Sequence, residues 1–391
     1  KTWSFFEKFV TAEDNWLPPD NYQEKPGPKI AHRTSPTNIG LSLLANLTAF
    51  DFGYISAGRL LDRTSRTLNT IQALEKYRGH LYNWYDTTTL ACLYPRYIST
   101  VDSGNFVGHI LTFRQGLLHL KSAKIINTNA FRGLLDTMDI LLEKESDHAG
   151  FIALRKEIDI IHQDPPQLLQ EAMDGMERIK AAIASLAAGR SKNEQRDPGN
   201  TNEWFNLLAV QAEDIYSDLA TMAPWLLFRA PSARLKHVYD EVDNIPDLHG
   251  LSAIQGEAMH KIRAYYRHDN TPVENEWLDV FVSSVINASA RAKERVVLID
   301  ELAELCAANA MVEYDFLYSK SRHLLSIGYN AEEHRRDNSY YDLLASEARL
   351  ADFVAIAQDK LPQESWFALG RQLTNVGGTP VLLSWSGSMF E

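Results

Sequence analysis

Four segments of the sequence combine carboxylates with aromatic, amide and hydroxyl side chains, which are the residue types that a carbohydrate site requires. They are residues 11–16, 83–86, 99–105 and 384–391. A sugar ring has an apolar face that stacks on an aromatic side chain, and its hydroxyl groups need partners such as Asp, Asn and Arg. Hydrolase-type transfer of a glycosyl group additionally requires two carboxyl groups, one protonated and one ionised. We expect the segments to lie in loops, with 99–105 running into the start of a helix, because loops on a rigid scaffold commonly carry function.

The same residues also have purely structural interpretations, which the sequence leaves open. Asp102 precedes a predicted helix and could be its N-cap. Glu13 and Asp14 could cap or solvate a loop. Trp84 and Tyr85 could belong to the hydrophobic core instead of forming a platform for a sugar.

Other kinds of chemistry find little support in the sequence. The Ser-Trp-Ser-Gly-Ser run at 384–388 lacks the Gly-x-Ser-x-Gly pattern of a nucleophile elbow. His32, His80 and His109 stand singly, without metal-ligand spacing, and the two cysteines cannot form a disulfide framework. The formal net charge of −12 argues against a surface that reads phosphates. We therefore predict no metal site and no nucleic-acid partner.

Hydrophobic periodicity indicates helices that must position these segments. Ser35 followed by Pro36 is typical of a helix start, and Arg78-Gly79 is a stop signal. The predicted helices cover residues 36–50, 57–77, 103–117, 129–144, 150–162, 167–188, 202–222, 251–267, 276–308, 340–358 and 363–370. Residues 81–98 are predicted to form a loop and 324–329 a short hairpin. Because strands and helices do not alternate, the prediction is an all-α fold of helical hairpins without a parallel sheet.

Aromatic residues divide the 391-residue chain into three parts. Of the Phe, Trp and Tyr residues, 16 lie in the first 110 positions and 11 in the last 79, which leaves 13 for the region between. From this distribution we predict boundaries at 1–116, 117–310 and 311–391, with the middle region, which is poorer in aromatic residues, built from long amphipathic helices.

The sequence contains no apolar run of the length that crosses a membrane.

Longer runs around the four segments resemble the glucoamylase-like cyclisation domain of bacterial cyclic β-1,2-glucan synthases, which is related to β-1,2-glucanases. The runs are residues 11–21, 32–40, 79–87, 97–105, 326–330, 339–349 and 384–391. They follow one another in register at both ends of the chain, and the middle region matches only loosely.

The resemblance implies an (α/α)6 toroid. Residues 1–116 would form its first part with cleft motifs, 117–310 a helical insertion, and 311–391 the second motif block. Family members continue past the last motif, so the toroid is expected to be incomplete at the C-terminus. The parent protein is expected at the bacterial inner membrane, with this segment soluble on the cytoplasmic side, making no direct membrane contact and joined to other modules of a larger synthase.

The activity implied by the resemblance is a retaining transglycosylation that cyclises a linear β-1,2-glucan without a nucleotide, a metal or another cofactor. An endo-β-1,2-glucanase on the same scaffold and a non-catalytic glucan-binding or scaffold module remain alternatives. By the same resemblance Glu391 is the catalytic acid/base, and Asp102 is a second carboxylate that holds the sugar at the cleavage point. The residues expected to bind substrate are Glu13, Asp14, Arg33, Trp84, Tyr85, Asp86 and Trp385.

Overall fold

Helices make up most of the protein in a computed structural model that describes residues 2–145, 148–189, 201–343, 345–370 and 373–382. The α-helices are α1 (Thr2–Phe9), α2 (Pro36–Asp51), α3 (Ala57–Ala73), α4 (Thr100–His119), α5 (Asn129–Lys144), α6 (Ala149–Gln163), α7 (Leu169–Gly189), α8 (Thr201–Met222), α9 (Leu248–Arg263), α10 (Pro272–Asn309), α11 (Ser346–Ala357) and α12 (Glu364–Ala368). Short 3-10 helices cover Ala12–Asp14, Pro224–Leu227 and Leu235–Glu241. The predicted all-α fold class is confirmed.

The strands of the described residues are two to four residues long, and all of them pair antiparallel. They are β1 (Tyr22–Gln23), β2 (Lys29–Ile30), β3 (Arg33–Thr34), β4 (Lys76–Tyr77), β5 (His80–Leu81), β6 (Tyr85–Asp86), β7 (Tyr97–Ser99), β8 (Tyr318–Ser319), β9 (Leu324–Leu325), β10 (Gly328–Asn330), β11 (Arg335–Arg336), β12 (Leu373–Val376) and β13 (Thr379–Leu382). Strand β10 lies between β7 and β11 in the one three-stranded sheet among them, and the other pairs are β1–β2, β3–β6, β4–β5, β8–β9 and β12–β13.

Helices α3 and α11 are shorter in the structure than the sequence predicts. Helix α3 ends at Ala73 instead of continuing to residue 77, because β4 and β5 form a tight hairpin there. The two residues of its turn, Arg78 and Gly79, have φ angles of 50° and 87°, which suits a two-residue hairpin and ends the helical pattern. Helix α11 begins at Ser346, six residues after the predicted start at residue 340.

The chain divides into two compact units. The first contains the described residues of Lys1–Asn46, Arg63–Gly116 and Leu302–Glu391, and the second contains those of Leu47–Asp62 and Leu117–Glu301. Each unit has its own buried apolar side chains. Among them are Ile39, Leu43, Leu68, Ile110 and Phe113 in the first unit, and Met138, Phe151, Met176, Trp225 and Phe281 in the second. No described helix combines the length and the apolar character needed to cross a lipid bilayer.

The N-terminus of α4 is tightly positioned within the first unit. Strand β7 leads directly into α4, which begins at Thr100 instead of near residue 103, so most of the segment 99–105 is helical and the expected loop there was wrong. Thr100 is fixed at this helix start by two hydrogen bonds. Its Oγ1 donates to the carbonyl of Ser326 at 2.6 Å, and its amide donates to the carbonyl of Ile327 at 3.1 Å. Four residues into the helix, Gly104 lies so close to α11 that a Cβ atom built on it would be 2.2 Å from the Cβ of Ala351. A glycine is therefore required at this helix crossing.

We predict that Gly104→Ala lowers the free energy of unfolding by about 1–3 kcal/mol, because the added methyl group has no space against Ala351. The measurement is denaturant unfolding followed by circular dichroism. Gly256→Ala is the matched control: this exposed position lies inside α9, with no atom within 4 Å of an added Cβ, so alanine should stabilise the helix by about 0.5–1 kcal/mol. Equal effects of the two substitutions would contradict the close crossing of α4 and α11.

Candidate functional site

The carboxylate of Asp102 lies at the start of α4, where it meets the first turn of α2. Its Oδ1 accepts a hydrogen bond from Thr37 Oγ1 at 2.6 Å. Thr37 Oγ1 in turn accepts from Asn105 Nδ2 at 3.1 Å. Asp102 lies in the first turn of its helix, where the positive end of the helix dipole favours a carboxylate. The carboxylate therefore has a fixed orientation, and it remains partly exposed.

Asn83 connects this carboxylate to an aromatic ring. In the amide orientation that satisfies both neighbours, Asn83 Nδ2 donates to Asp102 Oδ2 at 3.1 Å and Asn83 Oδ1 accepts from the indole Nε1 of Trp84 at 3.2 Å. The backbone of Asn83 is also held, since its amide donates to the carbonyl of Tyr97 at 2.8 Å. The structure thus brings together Asp102 and Trp84, two of the predicted site residues.

Arg33 is the third predicted residue of this group. Its guanidinium lies 4.6 Å from the centre of the Trp84 ring. The Nε and Nη2 atoms of Arg33 both donate to Asp20 Oδ2, at 3.2 and 3.0 Å, and Asn38 Nδ2 donates to Asp20 Oδ1 at 3.3 Å. Strand pairing explains the placement of Arg33, because β3 aligns it opposite Asp86, two residues from Trp84. We refer to Arg33, Asn83, Trp84 and Asp102 as the Asp102 cluster.

Asp14 lies deeper than the Asp102 cluster. Its side chain is buried, and Oδ1 accepts hydrogen bonds from Thr87 Oγ1 and from His32 Nδ1, the latter at 2.8 Å. The neighbouring Asn15 donates to the carbonyls of Thr87 and Thr88 at 2.8 and 3.0 Å. Asp14 therefore fixes the turn that follows β6. Glu13, one residue earlier, is exposed.

Tyr85 and Asp86 also shape the segment that carries Trp84. Tyr85 is fully buried, and its hydroxyl donates to the carbonyl of Glu75 at 2.6 Å and accepts from the amide of Tyr82 at 2.7 Å. Burial raises the pKa of Tyr85. Asp86 Oδ1 accepts four hydrogen bonds from the amides and hydroxyls of Thr88 and Thr89, and these bonds, led by that from the Thr88 hydroxyl, lower its pKa. The polar atoms of both side chains therefore form hydrogen bonds to nearby parts of the chain.

The remaining predicted site residues, Glu391 and Trp385, lie outside the described residues. Conversely, the sequence reasoning did not single out Thr37, Asn83 or Asp20, although each lies within one of the runs that carry the family resemblance. Tyr341 is a further omission from the run at 339–349. Burial raises the pKa of Tyr341, and the negative charge of Asp102 contributes to that shift, so the phenol lies near the Asp102 carboxylate.

His80 supports the same helix start from the interior. Its Nε2 lies 2.6 Å from the carbonyl oxygen of Glu313, and its Nδ1 lies 2.9 Å from Ser103 Oγ. Because a carbonyl can only accept, Nε2 carries the proton and Nδ1 accepts from Ser103, the residue after Asp102. The rings of Tyr314 and Phe316 lie edge-on at 5.5 and 5.4 Å. Burial lowers the pKa of His80 to about 4.

In the part of the chain that the structure describes, no group of three or more His, Cys, Asp or Glu side chains is placed to hold a metal ion.

A comparison with known proteins adds an independent finding. No family model matches the chain. Over its whole length, however, the chain is 33% identical across 405 aligned residues to a segment of "Cyclic beta-(1,2)-glucan synthase NdvB" from Rhizobium meliloti (strain 1021). The alignment covers 100% of this chain and 12% of that protein, so the chain spans about one eighth of the length of the relative that it matches. The family resemblance of the sequence motifs is confirmed.

We predict that the free energy of unfolding decreases between pH 6.5 and pH 4 because of His80. In this interval the imidazole binds a proton in the unfolded chain but not in the folded one, so stability is complete above about pH 6.5 and is lost as the pH falls towards 4. At pH 4 the free energy of unfolding is lower by roughly 3 kcal/mol because of this one group. Denaturant unfolding at several pH values should show a shallower acid slope for His80→Gln, which retains a donor for the Glu313 carbonyl. His249→Gln, at an exposed histidine of α9, is the matched control substitution. An unchanged slope in His80→Gln would contradict the assignment.

Proposed function

Because the chain is related over its whole length to a segment of a cyclic beta-(1,2)-glucan synthase, we propose that it acts on β-1,2-glucan and joins the two ends of a linear chain by retaining transglycosylation. The observation that carries the proposal is the Asp102 cluster. It joins a fixed carboxylate, an aromatic ring and a guanidinium through successive contacts of 3.1, 3.2 and 4.6 Å. A glucose unit needs this combination, since its ring stacks and its hydroxyls both donate and accept.

Asp102 is assigned to sugar binding in this proposal. Each of its carboxylate oxygens accepts one hydrogen bond, from Thr37 or from Asn83, and retains a second lone pair for a sugar hydroxyl. Two fixed donors also restrain the carboxylate from moving towards an anomeric carbon. Holding a sugar at the cleavage point therefore suits Asp102 better than nucleophilic attack.

Trp84 is assigned as the stacking platform. An indole ring has two faces, and the guanidinium of Arg33 covers one of them. Asp20 holds that guanidinium through two hydrogen bonds, so the ring is supported from behind. The opposite face would receive the apolar side of a glucose ring, and Arg33 would keep the indole in position for it.

Glu391 is assigned as the catalytic acid/base because it occupies the Glu of the Ser-Met-Phe-Glu motif. In the first step it would protonate the glycosidic oxygen as the bond from that oxygen to C1 breaks, while a carboxylate other than Asp102 forms a bond to C1. In the second step Glu391 would take the proton of the 2-hydroxyl at the chain's own non-reducing end. The oxygen of that hydroxyl would bond to C1 and release the carboxylate. One glycosidic bond breaks, one forms, and no water is consumed.

Cyclisation instead of hydrolysis would then depend on positioning. A hydroxyl group held near C1 can have an effective concentration far above that of a freely diffusing reactant. Stacking on Trp84 and hydrogen bonds to Asp102 would immobilise the glucan near the cleaved bond. The products decide between the activities: rings are lighter than linear chains of the same number of glucose units by one water molecule, so mass spectrometry of the products of linear β-1,2-glucan separates cyclisation from hydrolysis.

We predict that Trp84→Ala weakens binding of a linear β-1,2-glucan oligosaccharide by about 1 kcal/mol or more, because the stacking surface is lost. Isothermal titration calorimetry measures the effect. Trp366→Ala, at a tryptophan of α12 that is 38% exposed, is the matched control and should bind like the unsubstituted protein. Unchanged binding by Trp84→Ala would assign the ring to a structural role.

We further predict that Glu391→Gln abolishes transglycosylation and retains glucan binding, since glutamine keeps the size and polarity of the side chain but cannot transfer the proton. Product formation and calorimetric binding are measured on the same preparation. Asp102→Asn should instead weaken binding, because the amide nitrogen replaces one acceptor oxygen. Turnover of Glu391→Gln at the unsubstituted rate would refute the acid/base assignment.

A further inference from the structure

A groove in the second unit has no role in the function proposed above. It lies between α7 and the two 3-10 helices Pro224–Leu227 and Leu235–Glu241, and its volume is about 510 Å³. This volume falls within the range of sites that bind small molecules. The groove belongs entirely to the second unit and is therefore distinct from the Asp102 cluster.

Polar side chains line the groove from two directions. Helix α7 contributes Asp174 and Glu177, which are three residues apart and thus face the same side of the helix. The segment after the first 3-10 helix contributes Arg229, and the start of the second contributes Lys236. All four side chains are exposed. Among the described residues, none of the four forms a hydrogen bond or an ion pair through its side chain.

The floor of the groove offers apolar surface and is itself held in place. Leu227 is 50% exposed, and Phe228 next to it is partly exposed. The hydroxyl of Tyr239 donates a hydrogen bond to the carbonyl of Phe228, which fixes the backbone at that point. Aromatic and aliphatic surface beside polar groups allows a ligand to make apolar contacts and hydrogen bonds at the same place.

The balance of charges indicates the chemistry of the ligand. Two carboxylates and two cationic groups give the groove no net charge, so neither an anion nor a cation is favoured overall. A neutral ligand with many hydroxyl groups can donate to Asp174 and Glu177 and accept from Arg229 and Lys236. Such a ligand can also lay an apolar ring face on Phe228.

We propose that this groove is a second binding site for a β-1,2-glucan chain. The proposal rests on the glucan specificity inferred for the Asp102 cluster, since that specificity identifies the neutral polyhydroxylated polymer that the protein would meet. The groove would bind a stretch of glucan without taking part in the reaction.

The test uses the full chain and linear β-1,2-glucan oligosaccharides in calorimetric titrations. Trp84→Ala combined with Asp102→Asn removes the stacking surface and an acceptor oxygen of the Asp102 cluster, so most of the binding that remains in this double variant reports on other sites. In that background we compare Asp174→Asn with Glu177→Gln, made together, against Asp269→Asn with Glu257→Gln. The second pair lies at exposed positions outside the groove and changes the net charge by the same amount.

The expected result is residual glucan binding in the double variant Trp84→Ala/Asp102→Asn that becomes about tenfold weaker with the groove pair and stays unchanged with the control pair. Loss of all binding in that double variant alone would overturn the groove proposal and leave the proposed function standing. Absence of glucan binding by the unsubstituted protein would instead overturn the proposed function. A peptide of alternating lysine and glutamate that binds the groove more tightly than glucan would overturn the groove proposal as well.

Discussion

The hydrogen bonds to the Asp102 carboxylate are the interactions on which the arrangement of the Asp102 cluster depends. They join segments that are far apart in the sequence, since Thr37 is 65 residues from Asp102 and lies on a different helix. Asn83 extends the connection to the loop that carries Trp84. A carboxylate with both oxygens bonded in this way orients three chain segments at once. Loss of the carboxylate would therefore loosen the loop as well as remove an acceptor.

Asp102 can orient these segments because the first turn of α4, which carries it, is held in place by contacts with the protein interior. Thr100 is bonded to the backbone of residues 326 and 327, Ser103 to His80, and Gly104 contacts α11. These three residues flank Asp102 in the sequence. All three are buried, whereas Asp102 is partly exposed. A helix start fixed in this way places its exposed carboxylate without strain at the carboxylate itself. The His80 imidazole also makes this support sensitive to acid, because only its neutral form accepts from Ser103.

The predictability of the fold follows the length of its elements. The helices of the middle region could be predicted to within a few residues, because an amphipathic period repeated over several turns is a strong signal. The two-residue strands could not, since two residues carry no period, and residues 81–98 were predicted as loop although they contain β5 at their start, β6 and β7. The register of these strands determines the geometry of the Asp102 cluster, because the pairing of Arg33 with Asp86 brings the guanidinium to Trp84. The side-chain types in the four segments predicted a carbohydrate site, which stays a prediction. The interior position of Tyr85 could not be predicted, because it depends on backbone partners that no local pattern displays.

The Asp102 cluster and the groove of the second unit differ in one physical respect that bears on how each would bind glucan. In the cluster the polar groups already have partners: Arg33 is bonded to Asp20, and Asp102 to Thr37. Such groups are ordered before the ligand arrives, so binding costs little side-chain entropy and selects one geometry. The four charged side chains of the groove have no such partners, and a ligand would have to order them and remove their water. The same sugar chemistry would therefore give a specific site in the first unit and a weaker, more adaptable one in the second.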